Sequence, residues 1–402
     1  MNFDVISLIL ICGLLGPLLA GIKRLNMPLV VGQILAGVII GKTGFGLVNP
    51  SDPVLTAFSA MGFAMLMFVV GTHLPLHDPN LKKALGRGLI ATALGFALAV
   101  PTGLLVAHLS GIAHPAIFIL IFANCSAAVM MPMVHERKLD GPTVLFTTTW
   151  VALADAVTII ALPLAMSPGN ALTIATGAGI TIAAAVAAYF VLHAFYNHSK
   201  LGDYYRGLSK ERAWGFDLTV ALSLLFGLCA IATHFGTSDL VAGFSAGIVT
   251  MLIGEPKRFT KQLVGIAQAS FVLIFFVLLG AKLDVTALIT SPSNLELTGM
   301  IVVGAILVHT VAGKLVGLPL VSGLAASAQL GLPAAVTSLG MASGMITPGQ
   351  GAAIIAAAMI SLITCSIGTA GLQKYSIPAE PGDSPAPGNQ DGEEPHGKDK
   401  KS

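Results

Sequence analysis

One acidic residue stands inside a long apolar run of this sequence. Asp155 lies in the segment Trp150-Val-Ala-Leu-Ala-Asp-Ala-Val-Thr-Ile-Ile160, with Thr148 seven residues before it and Thr158 three residues after it. On a helix these three polar side chains share one face. A carboxylate with hydroxyls beside it is a reasonable hard-cation site when backbone oxygens complete the shell. The alternative interpretation is a buried acid that only holds helices together by hydrogen bonds.

Two other apolar runs are interrupted in ways that favour broken helices. The first contains the polar triplet Asn124-Cys125-Ser126, and the second, residues 330–340, contains Pro333 and Thr337. Proline removes a helix hydrogen bond and glycine loosens the backbone. The carbonyls and helix ends at such interruptions can coordinate a cation or orient a charge. The alternative is that these residues are simply tolerated within continuous membrane helices.

Lys314 is the candidate for compensating the charge of Asp155. It lies in an apolar run, about a turn and a half after His309. The competing interpretation is a lysine near a helix end that extends its ammonium group to the cytoplasmic interface. The four cysteines all fall inside apolar runs at spacings that match no metal knuckle or disulfide framework. We therefore expect no cofactor, and no metal other than a transported monovalent cation.

The composition shows which elements must position these residues. Hydrophobic residues make up 55% of the 402 residues, charged residues only 10%, and the mean hydropathy is +0.85. A soluble domain carries roughly a quarter charged residues, so we predict an all-α polytopic membrane protein surrounded by lipid, with no nucleic-acid partner. A spanning helix needs about 20 apolar residues, and the sequence offers about thirteen such runs. They are residues 4–22, 28–46, 54–73, 87–110, 114–134, 144–166, 170–197, 215–235, 238–254, 265–284, 297–317, 321–347 and 349–373.

Basic residues alternate between the loops and so predict an orientation. All but three of the 21 lysines and arginines fall in every second loop or at the C-terminal end. The exceptions are Lys42, Lys282 and Lys314. Because cytoplasmic loops are enriched in basic residues, the N-terminus is predicted outside and the C-terminus in the cytoplasm. Bacterial plasma (inner) membrane is the expected location.

The two halves of the sequence match when one is shifted by about 209 residues. Gly71 then falls on Gly280 and Gly37 on Gly247, so spans two and three correspond to nine and ten. An odd shift of seven spans makes the repeats inverted, which is the architecture of secondary transporters with two crossed discontinuous helices. We predict one transmembrane domain, residues 1–373, with halves of about 1–197 and 215–373. A cytoplasmic linker, 198–214, joins them, and residues 374–402 form a disordered cytoplasmic tail.

Several motifs in this order resemble those of one family. They are residues 30–41 (VVGQILAGVIIG), residues 67–71 (MFVVG), residues 124–132 (NCSAAVMMP), Ala154-Asp155 and residues 313–317 (GKLVG). Over roughly residues 5–373 the chain resembles the monovalent cation:proton antiporter superfamily. The similarity is to its branch of Kef-type potassium-efflux and Nap-type sodium/proton exchangers.

The resemblance implies a core domain with two crossed broken helices, a separate dimerisation domain, a homodimer and an elevator-like movement of the core. It also implies that Asp155 is the essential aspartate and that Asn124-Cys125-Ser126 is the first unwound segment. Two departures stand out: Ala154 replaces the polar residue usual before that aspartate, and the second broken helix lacks an arginine and a glutamate.

These observations lead to the hypothesis that Asp155 holds either a proton or Na⁺, Li⁺ or K⁺, and never both. The single acid favours the interpretation of electroneutral exchange, one cation for one proton. If Lys314 also releases a proton when a cation binds, exchange is instead expected to be electrogenic. A sodium-coupled organic-anion symporter and a non-transporting sensor or receptor on a transporter scaffold are the alternatives. An intramembrane enzyme is not expected, since no second aspartate lies in the interior of a span and the spans offer no serine–histidine pairing and no metal-ligand cluster.

Overall fold

The computed structural model describes residues 3–22, 29–72, 81–166, 168–198, 204, 216–237, 239–253 and 265–376, and within these ranges the secondary structure is helical. Most of the predicted linker (198–214) and of the predicted tail (374–402) lies outside the described residues. The principal helices are α1 (Phe3–Gly13), α2 (Leu15–Ala20), α3 (Leu29–Ile40), α4 (Pro53–Thr72), α5 (Leu81–Ser110), α6 (Pro115–Ala123), α7 (Ala127–Glu136), α8 (Pro142–Met166), α9 (Ala171–His198), α10 (Phe216–His234), α11 (Asp239–Leu252), α12 (Ala267–Lys282), α13 (Val285–Thr290), α14 (Pro292–Leu315), α15 (Leu320–Ala326), α16 (Gly331–Ala342) and α17 (Pro348–Leu372).

The predicted membrane spans are confirmed. In the described part of the chain, nine helical segments are long and apolar enough to cross a bilayer, and four shorter apolar helices accompany them. Each of these segments coincides with one of the apolar runs found in the sequence. A spanning helix satisfies its backbone hydrogen bonds within its own segment, which is why apolar length alone locates it. The chain is an integral membrane protein with an all-helical fold.

Close glycine contacts join α3 to α12 and α4 to α11. A methyl group added to Gly37 would collide with backbone atoms of α12, and one added to Gly280 would collide with Ile34 and Gly37. Gly71 and Gly247 meet in the same way across α4 and α11. The repeat pairs Gly37 with Gly247 and Gly71 with Gly280, so it converts one contact into the other. This exchange supports a two-fold relation between the two repeats. Small residues at these contacts let the helix backbones approach closely, so that van der Waals packing can hold them together in lipid.

A second group of helices surrounds two interrupted spans. Helices α5, α8, α14 and α17 pack against the pairs α6/α7 and α15/α16. The first interruption lies at residues 124–126, as predicted, and the second lies at residues 327–330. This is earlier than expected, because Pro333 and Thr337 are helical residues of α16. Pro333 occupies the first turn of α16, where a backbone N–H has no intrahelical acceptor, so proline does not break the helix there.

Candidate functional site

Asp155 lies in the middle of α8 and faces the start of a half-helix. Its side chain is only 4% exposed, and its Oδ2 accepts a hydrogen bond from the backbone N–H of Ala127 at 2.9 Å. Ala127 is the first residue of α7, so the carboxylate caps the positive end of that helix. Among the described residues no hydrogen bond to Oδ1 is present, which leaves that oxygen available to a ligand.

The first break brings Asn124 and Thr158 together. The residues of the break, Asn124, Cys125 and Ser126, are at most 1% exposed. Helix α6 ends because Asn124 adopts an extended conformation, with φ −78° and ψ 139°. The Thr158 hydroxyl lies 2.8 Å from Oδ1 of Asn124 and also 2.8 Å from the carbonyl of Ala154. One turn of α8 therefore presents both the carboxylate and the hydroxyl to the break, as the spacing of the two residues predicted.

The interrupted helices supply oxygens that a continuous helix would use internally. The last carbonyls of α6 have no helical N–H to accept from once the chain becomes extended at Asn124. Backbone carbonyls, the free Oδ1 of Asp155 and the Thr158 hydroxyl are all ligands that hard cations prefer. The first break can thus offer a cation a mixed shell with one negative charge. No group of three or more histidine, cysteine, aspartate or glutamate residues with metal-site geometry occurs in the residues that the structure describes.

The second break contains a polar residue that the sequence interpretation missed. Gln329 is 1% exposed and donates from Nε2 to the carbonyl of Ile121 at 2.6 Å, which links the second break to the end of α6. Its backbone N–H donates to the Ser361 hydroxyl at 2.9 Å. The signal was present as the polar pair Ser327 and Gln329 in an apolar run, the same kind of signal as Asn124-Cys125-Ser126. The prediction instead places the break at residues 330–340, because proline and glycine in that segment are the stronger sequence sign of an interrupted helix.

Lys314 does not reach the carboxylate. It lies in the last turn of α14 with an exposed side chain. The ion pair found in the described part of the chain is between Lys42 and Asp284, 3.8 Å apart. The structure therefore favours the interfacial interpretation of Lys314 over the charge-compensating one. A continuous α14 carries the lysine to its end, where a long side chain can extend to the membrane–water interface.

His309 is the basic residue that α14 places in the interior. It is fully buried, with Nδ1 2.7 Å from the carbonyl of Ala305 and its ring 5.8 Å from that of Trp150. Because a carbonyl only accepts, Nδ1 carries the proton. The ring also faces the backbone of Asn124 at the first break, although no contact of Nε2 among the described residues has the distance and angle of a good hydrogen bond.

The remaining predicted residues lie away from the carboxylate or are occupied. The Thr148 hydroxyl bonds to the carbonyl of Leu145 at 3.0 Å in its own helix, and seven residues place it about 10 Å along the axis from Asp155. Thr337 is fully buried in α16, and its hydroxyl has no partner among the described residues. The structure thus joins Asp155, Asn124 and Thr158 with the backbone of the break, and leaves Thr148 outside.

Comparison with known proteins gives a consistent match. A family model described as "Sodium/hydrogen exchanger, transmembrane" matches residues 6–372. A putative Na⁺/H⁺ antiporter, YjbQ, of Bacillus subtilis is 25% identical over 88% of this chain and 60% of its own length. A Na⁺/H⁺ antiporter of Enterococcus hirae is 24% identical over 70% of this chain and 73% of its own length.

Coverage of the relatives is partial, whereas a solved structure matches throughout. The chain spans 60% and 44% of the lengths of YjbQ and of the Na⁺/H⁺ antiporter NhaS5 of Synechocystis. The structure of the sodium proton antiporter MjNhaP1 from Methanocaldococcus jannaschii superposes with a TM-score of 0.63 at 17% identity. That match covers 91% of this chain and 95% of the other. At this identity the similarity establishes the fold.

Proposed function

The chain belongs to the transmembrane sodium/hydrogen exchanger family, and from this premise we propose that it is a secondary active transporter that exchanges a monovalent cation for protons at Asp155. The cation is Na⁺, Li⁺ or K⁺. The names of the relatives, which are Na⁺/H⁺ antiporters, support this proposal. The family motifs run through both halves of the membrane domain, where the proposed site lies.

The observation that carries the proposal is the position of one carboxylate at the first break. Among the described residues Asp155 is the one buried aspartate or glutamate, and only its Oδ2 is engaged. An uncompensated charge is expensive in hydrocarbon, so the site crosses the membrane most readily when a proton or a cation neutralises it. Both ligands neutralise the same oxygen atoms, and binding of one excludes the other. Exchange follows from that exclusion.

The surroundings of Asp155 support one cation exchanged for one proton. Lys314 is exposed at the end of α14, so it is not placed to give up a proton at the site. Position 154, where a second polar group beside the aspartate could take part, is the buried Ala154. A single carboxylate that alternates between a bound proton and a bound monovalent cation moves no net charge over a full cycle. We therefore propose electroneutral exchange. It predicts a rate that is independent of an imposed membrane potential.

The proposal extends to the assembly and its setting. The core of the transporter comprises the helices around the two breaks, and the glycine-paired helices α3, α4, α11 and α12 form the unit against which it moves. A homodimer in a bacterial plasma membrane is the proposed form, with the N-terminus outside and the C-terminus in the cytoplasm. Cysteine accessibility at the two ends of the chain in intact cells tests the orientation.

Asp155→Asn tests the exchange mechanism. In everted vesicles the variant is expected to lose cation-dependent collapse of a pH gradient for Na⁺, Li⁺ and K⁺, because an amide cannot bind and release a proton. Asp239→Asn is the matched control, since Asp239 is only partly buried and accepts from Thr233 in the other group of helices. Retained exchange in Asp155→Asn would contradict the mechanism, and voltage-dependent exchange in the wild type would contradict the stoichiometry.

A further inference from the structure

Each break contains one buried carboxamide. Asn124 opens the first break, and Gln329 lies in the second, where its side chain is 1% exposed. Burying a primary amide is costly unless its hydrogen-bonding groups find partners. Asn124 belongs to the proposed exchange site through its contact with Thr158. Gln329 is not part of that site, so the proposed exchange mechanism does not explain why an amide is buried there.

The side chain of Gln329 holds a backbone group that the first break has released. The last helical bond of α6 runs from the Asn124 N–H to the carbonyl of Leu120, at 2.9 Å. In a continuous helix the next N–H, that of Cys125, would bond to the carbonyl of Ile121. The chain is extended there, and Nε2 of Gln329 takes the place of that N–H at 2.6 Å. The end of α6 is therefore fixed by a residue about 200 positions away.

Ser361 of α17 fixes Gln329 in turn. Its hydroxyl oxygen accepts from the Gln329 N–H at 2.9 Å, and it lies 2.6 Å from the carbonyl of Ala358 and 3.2 Å from the carbonyl of Gln329. Ser361 therefore does for the second break what Asp155 does for the first, which is to accept a released backbone N–H. The difference is charge. One break is bound to a carboxylate, and the other to a neutral hydroxyl.

We propose that Gln329 is a positioning residue that sets cation affinity and selectivity at the first break, an inference that rests on the proposed function. By holding the Ile121 carbonyl it fixes the last turn of α6 and the released carbonyls that lead into Asn124. A cation is selected by the spacing and rigidity of its oxygen ligands. A proton needs only the carboxylate. Loss of the hydrogen bond from Gln329 to the Ile121 carbonyl therefore lowers the affinity for the cation and leaves proton binding unchanged.

The test compares two substitutions of Gln329 with a matched control. Gln329→Leu removes the amide at similar volume, and Gln329→Asn keeps an amide that is one methylene too short to reach Ile121. Gln33→Leu is the control, because Gln33 is also 1% exposed and lies in α3, away from both breaks. Purified proteins are reconstituted into liposomes, and the apparent KM and maximal rate are measured for Na⁺, Li⁺ and K⁺.

Both Gln329 variants are expected to raise the apparent KM of the preferred cation about tenfold, the effect of losing one buried hydrogen bond. The ratio of KM values among the three cations should move toward one, while the dependence on proton concentration stays that of the wild type. The control should remain within about twofold. A general structural defect would instead reduce maximal rate and thermal stability and leave KM and selectivity unchanged, which would overturn the proposal.

A further measurement separates this inference from the proposed function. If Gln329→Leu does not reconstitute, Gln329→Asn decides the matter by the same criteria. If the wild type shows no exchange at all, the proposed function fails, and cation binding is then followed through the rise in melting temperature with NaCl, LiCl or KCl. Variants that need about tenfold more salt for the same rise support the positioning role. Variants with the wild-type salt dependence refute it.

Discussion

Thr158→Val removes one hydroxyl from the first break and keeps the shape of the side chain. Thr158 is fully buried, and its hydroxyl lies 2.8 Å from Oδ1 of Asn124. Without it, that amide oxygen is left in the interior without its partner, and the orientation of Asn124 is no longer fixed. The resulting cost is about 1–3 kcal/mol, the penalty for a buried polar group that loses its hydrogen bond.

The magnitude converts into a measurable change in transport. In the proposed site Asn124 lies beside the bound cation, so most of that cost should fall on the cation-bound state. The expected result is an apparent KM for the cation raised by about 5- to 150-fold, with protein yield close to that of the wild type. The assay is exchange in proteoliposomes, with a pH-sensitive dye inside and the cation added outside.

Two companion variants make the reasoning about Thr158 refutable. Thr148→Val makes the same chemical change on the same helix. Within the described part of the chain that hydroxyl bonds to Leu145 of α8 and to nothing at the break, so KM should stay within about twofold. Thr158→Ser keeps the hydroxyl and should retain most of the affinity. Equal KM values for Thr158→Val and Thr148→Val would show that the contact with Asn124 plays no part in cation binding.

Three further outcomes follow from the packing and the site. Gly71→Ala should destabilise the protein by about 1–3 kcal/mol and lower its melting temperature, because the new methyl group meets the backbone of α11. The control Gly86→Ala places its methyl group in open space, so that variant should melt no lower than the wild type. If a proton and the cation compete at Asp155 as proposed, lowering the pH should raise the apparent KM for the cation by up to about tenfold per pH unit, with the maximal rate at saturating cation unchanged. An apparent KM that falls on acidification would contradict the competition. Lys314→Gln should leave both the rate and its independence of membrane potential intact, since the side chain is exposed; an exchange that becomes voltage-dependent would restore a role for this lysine.

The parts of the site that lie close together in sequence were predictable. Asp155 and Thr158 share a face because they are three residues apart on one helix, and helical geometry is local. The first break was marked by three polar residues in an apolar run, where their presence is costly enough to be informative. Of the two open interpretations of Lys314, its exposed side chain in the last turn of α14 favours the interfacial one.

The second break shows where local reasoning failed. Proline and glycine pointed to residues 330–340. A proline breaks a helix only at a position where the missing N–H would have made a helical hydrogen bond. Pro333 lies in the first turn of α16, where N–H groups make no such bond, so the helix continues through it. The contacts of Gln329 are with Ile121 and Ser361, residues far away in the chain. A hydrogen bond between distant segments has no periodicity that a sequence can display.

The sequence by itself indicated the membrane spans, the internal repeat and the buried acid Asp155. Each segment of about 20 residues must be apolar on its own to lie in a bilayer, and an acid within such a segment is conspicuous. Its glycines helped to align the two repeats, but they did not show which helices would touch. Only the tertiary structure decided that Gly37 meets Gly280, that α7 begins at the carboxylate, and that Gln329 holds the end of α6. Those choices depend on how whole helices cross, and the crossing is fixed by the sum of many contacts between segments far apart in the chain.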